Sequence, residues 1–345
     1  MTVTLQTPKR NELVSTLTSD QRYFLTHRKE ETANAENIDW LNLVRKGEEL
    51  SVPNPILFSW EVSEALTETD TTVLYLSSAE DLSDAKTFLC TENQRALYHL
   101  FLGAEYFWKI AVLRNGTLLA DSPIYRFSVA WDLPRSIRAE GLSNVRDLGG
   151  FATENGKRVR QGMIYRGCEM EFHHTITEDG KRVLREELAI RTDLDLRVEA
   201  VRAELTESAL GTDVDFTLIP CAAYDSFLKE KETAAQLFRV FTDPSRYPIY
   251  THCWGGADRT GTLCLMLSAV LGVKEDDLFS DYEFTSLSIW GKRSIRSDLF
   301  QAFLTELDTY GTPSDSINQK CEAFFLSCGV TPEEINTFRR IMTEP

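Results

Sequence analysis

The stretch Pro248-Ile249-Tyr250-Thr251-His252-Cys253-Trp254-Gly255-Gly256-Ala257-Asp258-Arg259-Thr260-Gly261 decides the fold of the chain around it. Its first three residues are typical of a short buried strand, and the apolar run from Thr262 to Leu271 predicts a buried helix closed by Gly272. Between them lies a turn with two glycines. Such a turn can bind an anion, because backbone N–H groups and the positive end of the helix dipole converge on one point.

Two side chains of this loop carry chemistry. Arg259 can offer a planar guanidinium that matches two phosphate oxygens. Cys253 lies at the base of the loop, where the N–H groups, the helix dipole and Arg259 would stabilise its thiolate as a nucleophile. The predicted phosphate-binding residues are Trp254, Gly255, Gly256, Ala257, Asp258 and Arg259.

The segment from Tyr250 to Gly261 resembles the His-Cys-X5-Arg-Thr/Ser signature of the protein tyrosine phosphatase superfamily, and its Asp-Arg-Thr-Gly ending is similar to the bacterial tyrosine/lipid phosphatase branch. Further segments resemble that branch in the same order, from roughly Gly141 to the C-terminus. They are Asn144-Val145-Arg146-Asp147-Leu148-Gly149-Gly150, Ile164-Tyr165-Arg166-Gly167, Asp195-Leu196-Arg197 and Asp281-Tyr282.

The resemblance implies a mechanism that needs no metal or cofactor. Cys253 would attack phosphorus to form a thiophosphate intermediate that water then hydrolyses, while Arg259 holds the phosphoryl oxygens. His252 would orient the loop and help to set the pKa of the thiol, and the Thr260 hydroxyl would assist the departing sulfur. Secondary site residues that the motifs suggest are Arg146, Asp147 and Arg166.

The leaving oxygen needs a proton, and two carboxyl groups are candidates for its source. Asp258 lies in the loop itself, where the bacterial branch commonly carries an aspartate. Asp225 comes 28 residues before Cys253, a spacing similar to the acid loop of dual-specificity phosphatases. We favour Asp258 and keep Asp225 as the alternative.

One residue departs from the pattern of the bacterial branch. Its members usually carry lysine directly before the loop aspartate, where this chain has Ala257. We therefore expect no second fixed cation over the phosphate, which disfavours substrates with several phosphates. Trp254 either lines the pocket or packs beneath the loop, and packing is the default expectation.

The predicted function is a cysteine-dependent phosphomonoester hydrolase, first a protein tyrosine phosphatase and second a dual-specificity one, acting on a phosphorylated protein or a small phosphomonoester. The alternative enzyme is a phosphoinositide or inositol-phosphate phosphatase. Another class is a module that binds phosphorylated ligands without hydrolysis. A redox enzyme using Cys253 has less support, because no resolving cysteine lies at close spacing.

Composition limits partners and location. The chain has 37 Lys and Arg against 53 Asp and Glu, a net charge of -16, which disfavours nucleic acid and anionic membranes as partners. Ten basic residues between Lys157 and Arg202 form either a positive active face or, more in keeping with Lys181 to Arg191, a solvated helix face. Seven cysteines without disulfide or metal spacing suggest a reducing compartment. With no apolar signal core and no run of transmembrane length, we expect a cytoplasmic protein, or a secreted one if a signal was removed.

A length of 345 residues with 42% hydrophobic and 26% charged residues predicts two globular domains. The first half holds short β-rich runs separated by Pro, Gly and Asn-Gly turns: Ile56–Trp60, Thr72–Leu76, Tyr106–Val112 and Ile124–Val129. This pattern resembles a fibronectin type III-like sandwich. Such a domain would either bind a protein partner or shape the substrate entrance, or it would only stabilise the chain. The predicted boundaries are an N-terminal arm over 1–48, the sandwich over 49–131 and the phosphatase-like domain over 132–345.

The second half alternates strand-like and helical runs, which predicts an α/β layer with a mostly parallel sheet flanked by helices. Near the end, Thr331-Pro332-Glu333-Glu334 has the pattern of a capping box with proline at the first helical position. We expect this box to open a last helix that ends near Met342.

Overall fold

The computed structural model describes residues 1–30 and 47–344, which form two compact units. One unit, called the β unit below, combines residues 1–18 with 53–132. The other, called the α/β unit, combines the described residues of 19–52 with those of 133–345.

The β unit contains two sheets. The smaller has the order β1-β3-β6, and the larger has the order β2-β9-β7-β4-β5 with β8 paired to β7. All pairings are antiparallel except that of β2 with β9. The strands are β1 (Val3–Thr7), β2 (Glu12–Val14), β3 (Ile56–Val62), β4 (Asp70–Ser77), β5 (Lys86–Cys90), β6 (Gln94–Leu97), β7 (Glu105–Arg114), β8 (Thr117–Asp121) and β9 (Tyr125–Val129).

Aromatic side chains join the two sheets of the β unit. Along β3, Ile56, Phe58 and Trp60 are buried and alternate with more exposed residues, as expected of a strand with one face in the core. Phe58 contacts Trp108 of β7 and Phe127 of β9 edge to face, with ring centroids 5.1 and 5.6 Å apart. The apolar faces of the two sheets therefore form one core.

The start of the chain differs from the predicted arm over 1–48. Val3–Thr7 pairs with β3 as an edge strand, because its alternating Val3 and Leu5 are buried in the β-unit core. Ser19–His27 forms helix α1 and belongs to the α/β unit, where Phe24 is buried beside Phe284 at a centroid distance of 6.3 Å. The part of the predicted arm over 31–46 lies outside the described residues.

The α/β unit is built on a five-stranded sheet with the order β10-β11-β14-β12-β13. Only β10 runs antiparallel to its neighbour, so the predicted mostly parallel sheet is confirmed. The strands are β10 (Arg146–Asp147), β11 (Ile164–Gly167), β12 (Thr192–Asp195), β13 (Asp215–Leu218) and β14 (Ile249–His252).

Helices pack around this sheet and form most of the C-terminal part. The predicted last helix has both hydrogen bonds of its capping box, between Thr331 and Glu334. No helix among the described residues is long and apolar enough to cross a membrane. The helices are α1 (Ser19–His27), α2 (Glu178–Arg182, continued by a π-helical turn over Val183–Glu187), α3 (Val198–Arg202), α4 (Tyr224–Phe227), α5 (Lys231–Val240), α6 (Arg259–Val270), α7 (Glu275–Phe284), α8 (Asp298–Leu307), α9 (Ile317–Ser327) and α10 (Pro332–Met342).

The centre of the α/β unit is β14 followed by α6. All four residues of β14 are buried, and α6 is buried from Thr260 to Val270, which explains why its sequence is apolar on all sides. The parallel strands end at one edge of the sheet, and the loop between β14 and α6 lies at that edge.

Candidate active site

The loop of Cys253 to Asp258 joins β14 to α6 and needs its glycines for close packing. Gly256 has φ of +64°, and a Cβ there would lie 2.2 Å from the carbonyl oxygen of Gly167. A Cβ on Gly255 would lie 2.6 Å from the indole ring of Trp290. Any larger residue would displace the loop.

A cleft of about 300 Å³ opens above this loop. It brings together most of the loop residues predicted from the sequence, whereas Gly256 faces away from it toward Gly167. Cys253 is only 2% exposed at its base. The cleft is lined by Cys253, Trp254, Gly255, Ala257, Asp258, Arg259, Trp290 and Arg293.

Arg259 is anchored on one side only. Its Nη1 donates to Oε2 of Glu199 at 3.0 Å, and Glu199 lies in the first turn of α3. Among the described residues, the Nε and Nη2 groups have no protein acceptor in hydrogen-bonding distance. A guanidinium edge of this kind can bind two oxygens of a phosphoryl group. Sequence reasoning missed Glu199, because nothing local links it to a residue 60 positions away.

The residue after Arg259 has an unused hydroxyl. Thr260 is fully buried, and its Oγ1 has no hydrogen-bond partner among the described residues. A buried hydroxyl without a partner is unfavourable unless a ligand or a reacting group supplies one. This observation is consistent with the sequence-based expectation that Thr260 serves the sulfur of Cys253.

His252 is a buried, charged residue beside Cys253. Its Nε2 donates to Oδ1 of Asp193 at 2.9 Å. Burial lowers the pKa of His252, but the carboxylates of Asp195 and Asp193 outweigh burial and raise the pKa to about 9. The imidazole is therefore protonated at neutral pH and adds positive charge next to the thiol.

Two buried arginines, Arg146 and Arg166, hold the loop through hydrogen bonds to its backbone carbonyl oxygens, directly or through Asn144. Arg166 Nη2 donates to the carbonyl oxygen of Gly256 at 2.7 Å. Arg146 binds the backbone and side-chain oxygens of Asn144, whose amide donates to the Gly255 carbonyl oxygen at 3.0 Å. The loop carbonyls are thereby turned toward these side chains and away from the cleft.

Asp281 pairs with both arginines, with Oδ1 2.6 Å from Arg146 Nε and Oδ2 2.8 Å from Arg166 Nη1. Burial raises the pKa of Asp281, but the two guanidinium groups outweigh burial and hold it below its ordinary value. Asp147 has a different place: it accepts from Arg135 and from the backbone of Gly162, away from the loop. Arg146 and Arg166 thus belong to the support of the site, and Asp147 to the entry segment.

The structure separates the two candidate acids. Asp258 lines the cleft, where its carboxylate accepts from Arg293 Nε at 2.8 Å, Arg293 Nη2 at 3.0 Å and the Tyr224 hydroxyl at 2.5 Å. Asp225 is outside the residues lining the cleft and pairs with Lys229 at 2.8 Å on the surface of α4. Burial raises the pKa of Asp258, but Arg293, Tyr224 and Arg259 outweigh burial and lower it.

Arg293 contradicts the expectation that no second fixed cation lies near the phosphate site. It comes from the segment between α7 and α8, and it lines the cleft together with Trp290. The expectation was wrong because it rested only on the loop position before Asp258, where this chain has Ala257. A cation from a segment 35 residues further along the chain takes a place in the same wall.

Trp254 both packs and lines the cleft. Its ring stacks on His173 with centroids 3.9 Å apart, and the side chain remains 36% exposed. His173 is held by Glu169 at 2.9 Å, and Trp290 meets Trp254 edge to face at 6.4 Å. Two indole rings therefore stand at right angles beside the cysteine.

A loop at the end of a parallel strand, with a cysteine at its base and an arginine with a free edge, is characteristic of the cysteine-dependent phosphatases. A family model described as "Tyrosine phosphatase family" matches residues 137–344. The chain belongs to this family, so the predicted family is confirmed.

A curated protein is similar to part of this chain. A protein of Cupriavidus necator whose name places it among the tyrosine-protein phosphatases is 31% identical over an alignment of 164 residues, and the alignment covers 41% of this chain. The matched part spans 59% of that relative's length, less than two thirds.

Two solved structures also align with this chain. The core catalytic domain of the PP-IP phosphatase SIW14 from S. cerevisiae, in complex with citrate, has 16% identity and a TM-score of 0.31, covering 49% of this chain and 86% of that one. A structure of the Siw14 catalytic core has 15% identity and a TM-score of 0.32, covering 55% and 94%.

Proposed function

We propose that the α/β unit hydrolyses phosphomonoesters with Cys253 as the nucleophile. One observation carries the proposal: Cys253 and the free Nε and Nη2 edge of Arg259 line the same cleft at the N-terminus of α6. The similarity to the bacterial tyrosine/lipid phosphatase motifs supports the same assignment.

In the first step the thiolate of Cys253 attacks phosphorus, and a P–S bond forms as the P–O bond to the leaving group breaks. Arg259 binds two phosphoryl oxygens as their charge redistributes. Asp258 gives its proton to the leaving oxygen, since it is the candidate acid that lines the cleft. The protonated His252 adds positive charge beside the attacking sulfur.

In the second step a water molecule attacks phosphorus and breaks the P–S bond, releasing inorganic phosphate. The carboxylate of Asp258 takes the proton of that water. The hydroxyl of Thr260, which has no partner among the described residues, donates a hydrogen bond to the departing sulfur.

Phosphotyrosine is the proposed first substrate, with phosphoserine and phosphothreonine second. The rings of Trp254 and Trp290 line the cleft and can contact an aromatic ring. The name of the Cupriavidus necator relative agrees with this choice. Inositol phosphates and phosphoinositides are the second candidate, favoured by the additional cation of Arg293.

For the rest of the chain we propose a fibronectin type III-like fold for the β unit and a protein partner bound through it. The two joined sheets of the β unit support the fold. We also propose a reducing, cytoplasmic location, because all seven cysteines are unpaired.

The test is phosphate release by the full chain from a phosphotyrosine peptide, a phosphoserine peptide, a phosphoinositide and an inositol polyphosphate. Cys253→Ser should abolish release, and Cys90→Ser, in β5 of the β unit, should leave it unchanged. Release that survives Cys253→Ser would refute the proposal. Binding of phosphate without release by the unaltered chain would identify a binding module instead.

A further inference from the structure

Arg293 is held firmly on one side. Its backbone N–H donates to Oγ of Ser286 at 2.8 Å, and the same hydroxyl donates to its carbonyl oxygen at 2.9 Å. Its Nη1 donates to the carbonyl oxygens of Trp290 at 3.3 Å and Lys292 at 3.1 Å. The other edge of the guanidinium, with Nε and Nη2, lies toward Asp258.

Asp258 therefore has two tasks that exclude each other. As the proposed acid it must carry a proton, but the carboxylate that accepts both bonds of Arg293 is ionised and has none to give. Protonation of Asp258 would end the ion pair and free the guanidinium edge. Conversely, an anion that bound this edge of Arg293 would remove one of the two cations that keep Asp258 ionised, so anion binding and protonation of Asp258 are linked.

We propose that Arg293 forms a second anion subsite, which binds a second anionic group of the substrate and releases Asp258 to act as the acid. This inference rests on the proposed function and narrows its substrates to phosphomonoesters with another anionic group close to the scissile phosphate. The proton that Asp258 gains comes from solvent, passes to the leaving oxygen, and is regained from the attacking water.

The surroundings of the pair fit this exchange. The groups facing Asp258 are Arg293, the Tyr224 hydroxyl from α4 and Arg259 at the start of α6. Burial raises the pKa of Tyr224 far above the neutral range and that of Tyr282, 2.8 Å from it, to about 12. Both hydroxyls stay neutral, so the two arginines set the charge around Asp258.

Trp290, three residues before Arg293, carries a buried donor without a partner in the described part of the chain. Trp290 lines the cleft, and this donor is its indole N–H. An unpaired donor beside a cation is suited to an oxygen of a carboxylate or a phosphate. The shared chemistry is an oxyanion, from an acidic residue next to the phosphorylated one or from a second phosphate on a ring.

The experiment compares two substrates that differ in one charge, 3-carboxyphenyl phosphate and its neutral 3-carbamoyl analogue. The quantity measured is the ratio of their kcat/KM values in the full chain, in Arg293→Met, in Arg293→Lys and in Arg296→Met. Arg296 is exposed, does not line the cleft and lies three residues along the same segment, so it controls for the loss of a nearby charge.

We expect the ratio to fall about tenfold in Arg293→Met, as for a lost charge-assisted hydrogen bond, to recover in part in Arg293→Lys and to stay constant in Arg296→Met. A ratio that is the same in all four proteins refutes the subsite while the proposed function stands. If the unaltered chain shows no Cys253-dependent turnover of either ester, the proposed function itself is refuted. The same variants are then assayed on a phosphotyrosine peptide with a neighbouring glutamate and on an inositol bisphosphate. The substrate whose kcat/KM falls more in Arg293→Met carries the second anion that the subsite binds.

Discussion

The buried imidazolium of His252 should make the stability of the α/β unit depend on pH in one direction. Its pKa is raised from 6.5 to about 9 by the net effect of burial, which lowers it, and of Asp195 and Asp193, which raise it. A group whose pKa is higher in the folded state stabilises the fold fully below its unfolded pKa and loses this effect as the pH rises through the folded value. At about 1.36 kcal/mol per pH unit, the difference between these two pKa values corresponds to about 3 kcal/mol in the free energy of unfolding. This contribution is complete below about pH 6.5 and is lost by about pH 9.

The perturbation is His252→Gln, which keeps a polar side chain but removes the titrating group. Both proteins would carry Cys253→Ser, so that the neighbouring thiol does not contribute. Calorimetry of the full chain gives the stability lost by the variant relative to its parent at each pH. This loss should be about 3 kcal/mol larger at pH 6 than at pH 9.5, which corresponds to about 6 to 12 °C in Tm for a unit of this size. His27→Gln in α1 replaces another histidine of the α/β unit in the same way and is the matched control.

An equal loss of stability at both pH values would refute the reasoning, because the pKa of His252 would then be the same in the folded and unfolded states. A variant that loses more stability at pH 9.5 than at pH 6 would refute it more strongly, since the charged form would be the unfavourable one.

The remaining predictions concern the acid, the loop and its anchor. Asp258→Asn should lower kcat/KM about 100-fold for a phenyl phosphate with a poor leaving group and much less for a nitrophenyl phosphate, whereas Asp225→Asn should change neither value. Steady-state kinetics on both esters checks this. A loss in Asp258→Asn that is equal for the two esters would contradict the assignment of the acid. Gly256→Ala should lower kcat/KM at least about tenfold with the fold retained in circular dichroism, because its Cβ would lie 2.2 Å from a backbone oxygen, whereas Gly116→Ala, with nothing within 4 Å, should keep full activity. Glu199→Gln should weaken inhibition by inorganic phosphate about threefold to tenfold through the loosened loop arginine, and an unchanged inhibition constant would argue against this anchor.

Local patterns in the sequence were sufficient for the core of the site. The strand, glycine turn and helix from Ile249 to Val270 lie where the pattern predicts them, because each depends on neighbours within a few residues. The last helix from Pro332 to Met342 follows from its capping box for the same reason.

Residues that line the cleft from distant segments, or that anchor its arginine, were not predictable in this way. Glu199, Trp290 and Arg293 belong to segments without a motif of their own, and their roles arise only from contacts across 35 to 60 positions of the chain. The same holds for Asp193, which pairs with His252 because β12 and β14 are adjacent strands.

The sequence by itself determined the glycine turn and the mostly parallel α/β sheet, and it identified the proposed nucleophile and the proposed phosphate-binding arginine beside that turn, since these depend on residue type and on short-range periodicity. Only the tertiary structure decided that Asp258 and not Asp225 lines the cleft, and that Arg293 supplies the cation absent at Ala257. It also decided that Val3–Thr7 joins the β unit while Ser19–His27 joins the α/β unit. The physical reason is that the side chains surrounding a charge or an apolar strand come from distant segments, and only the packed fold brings these together.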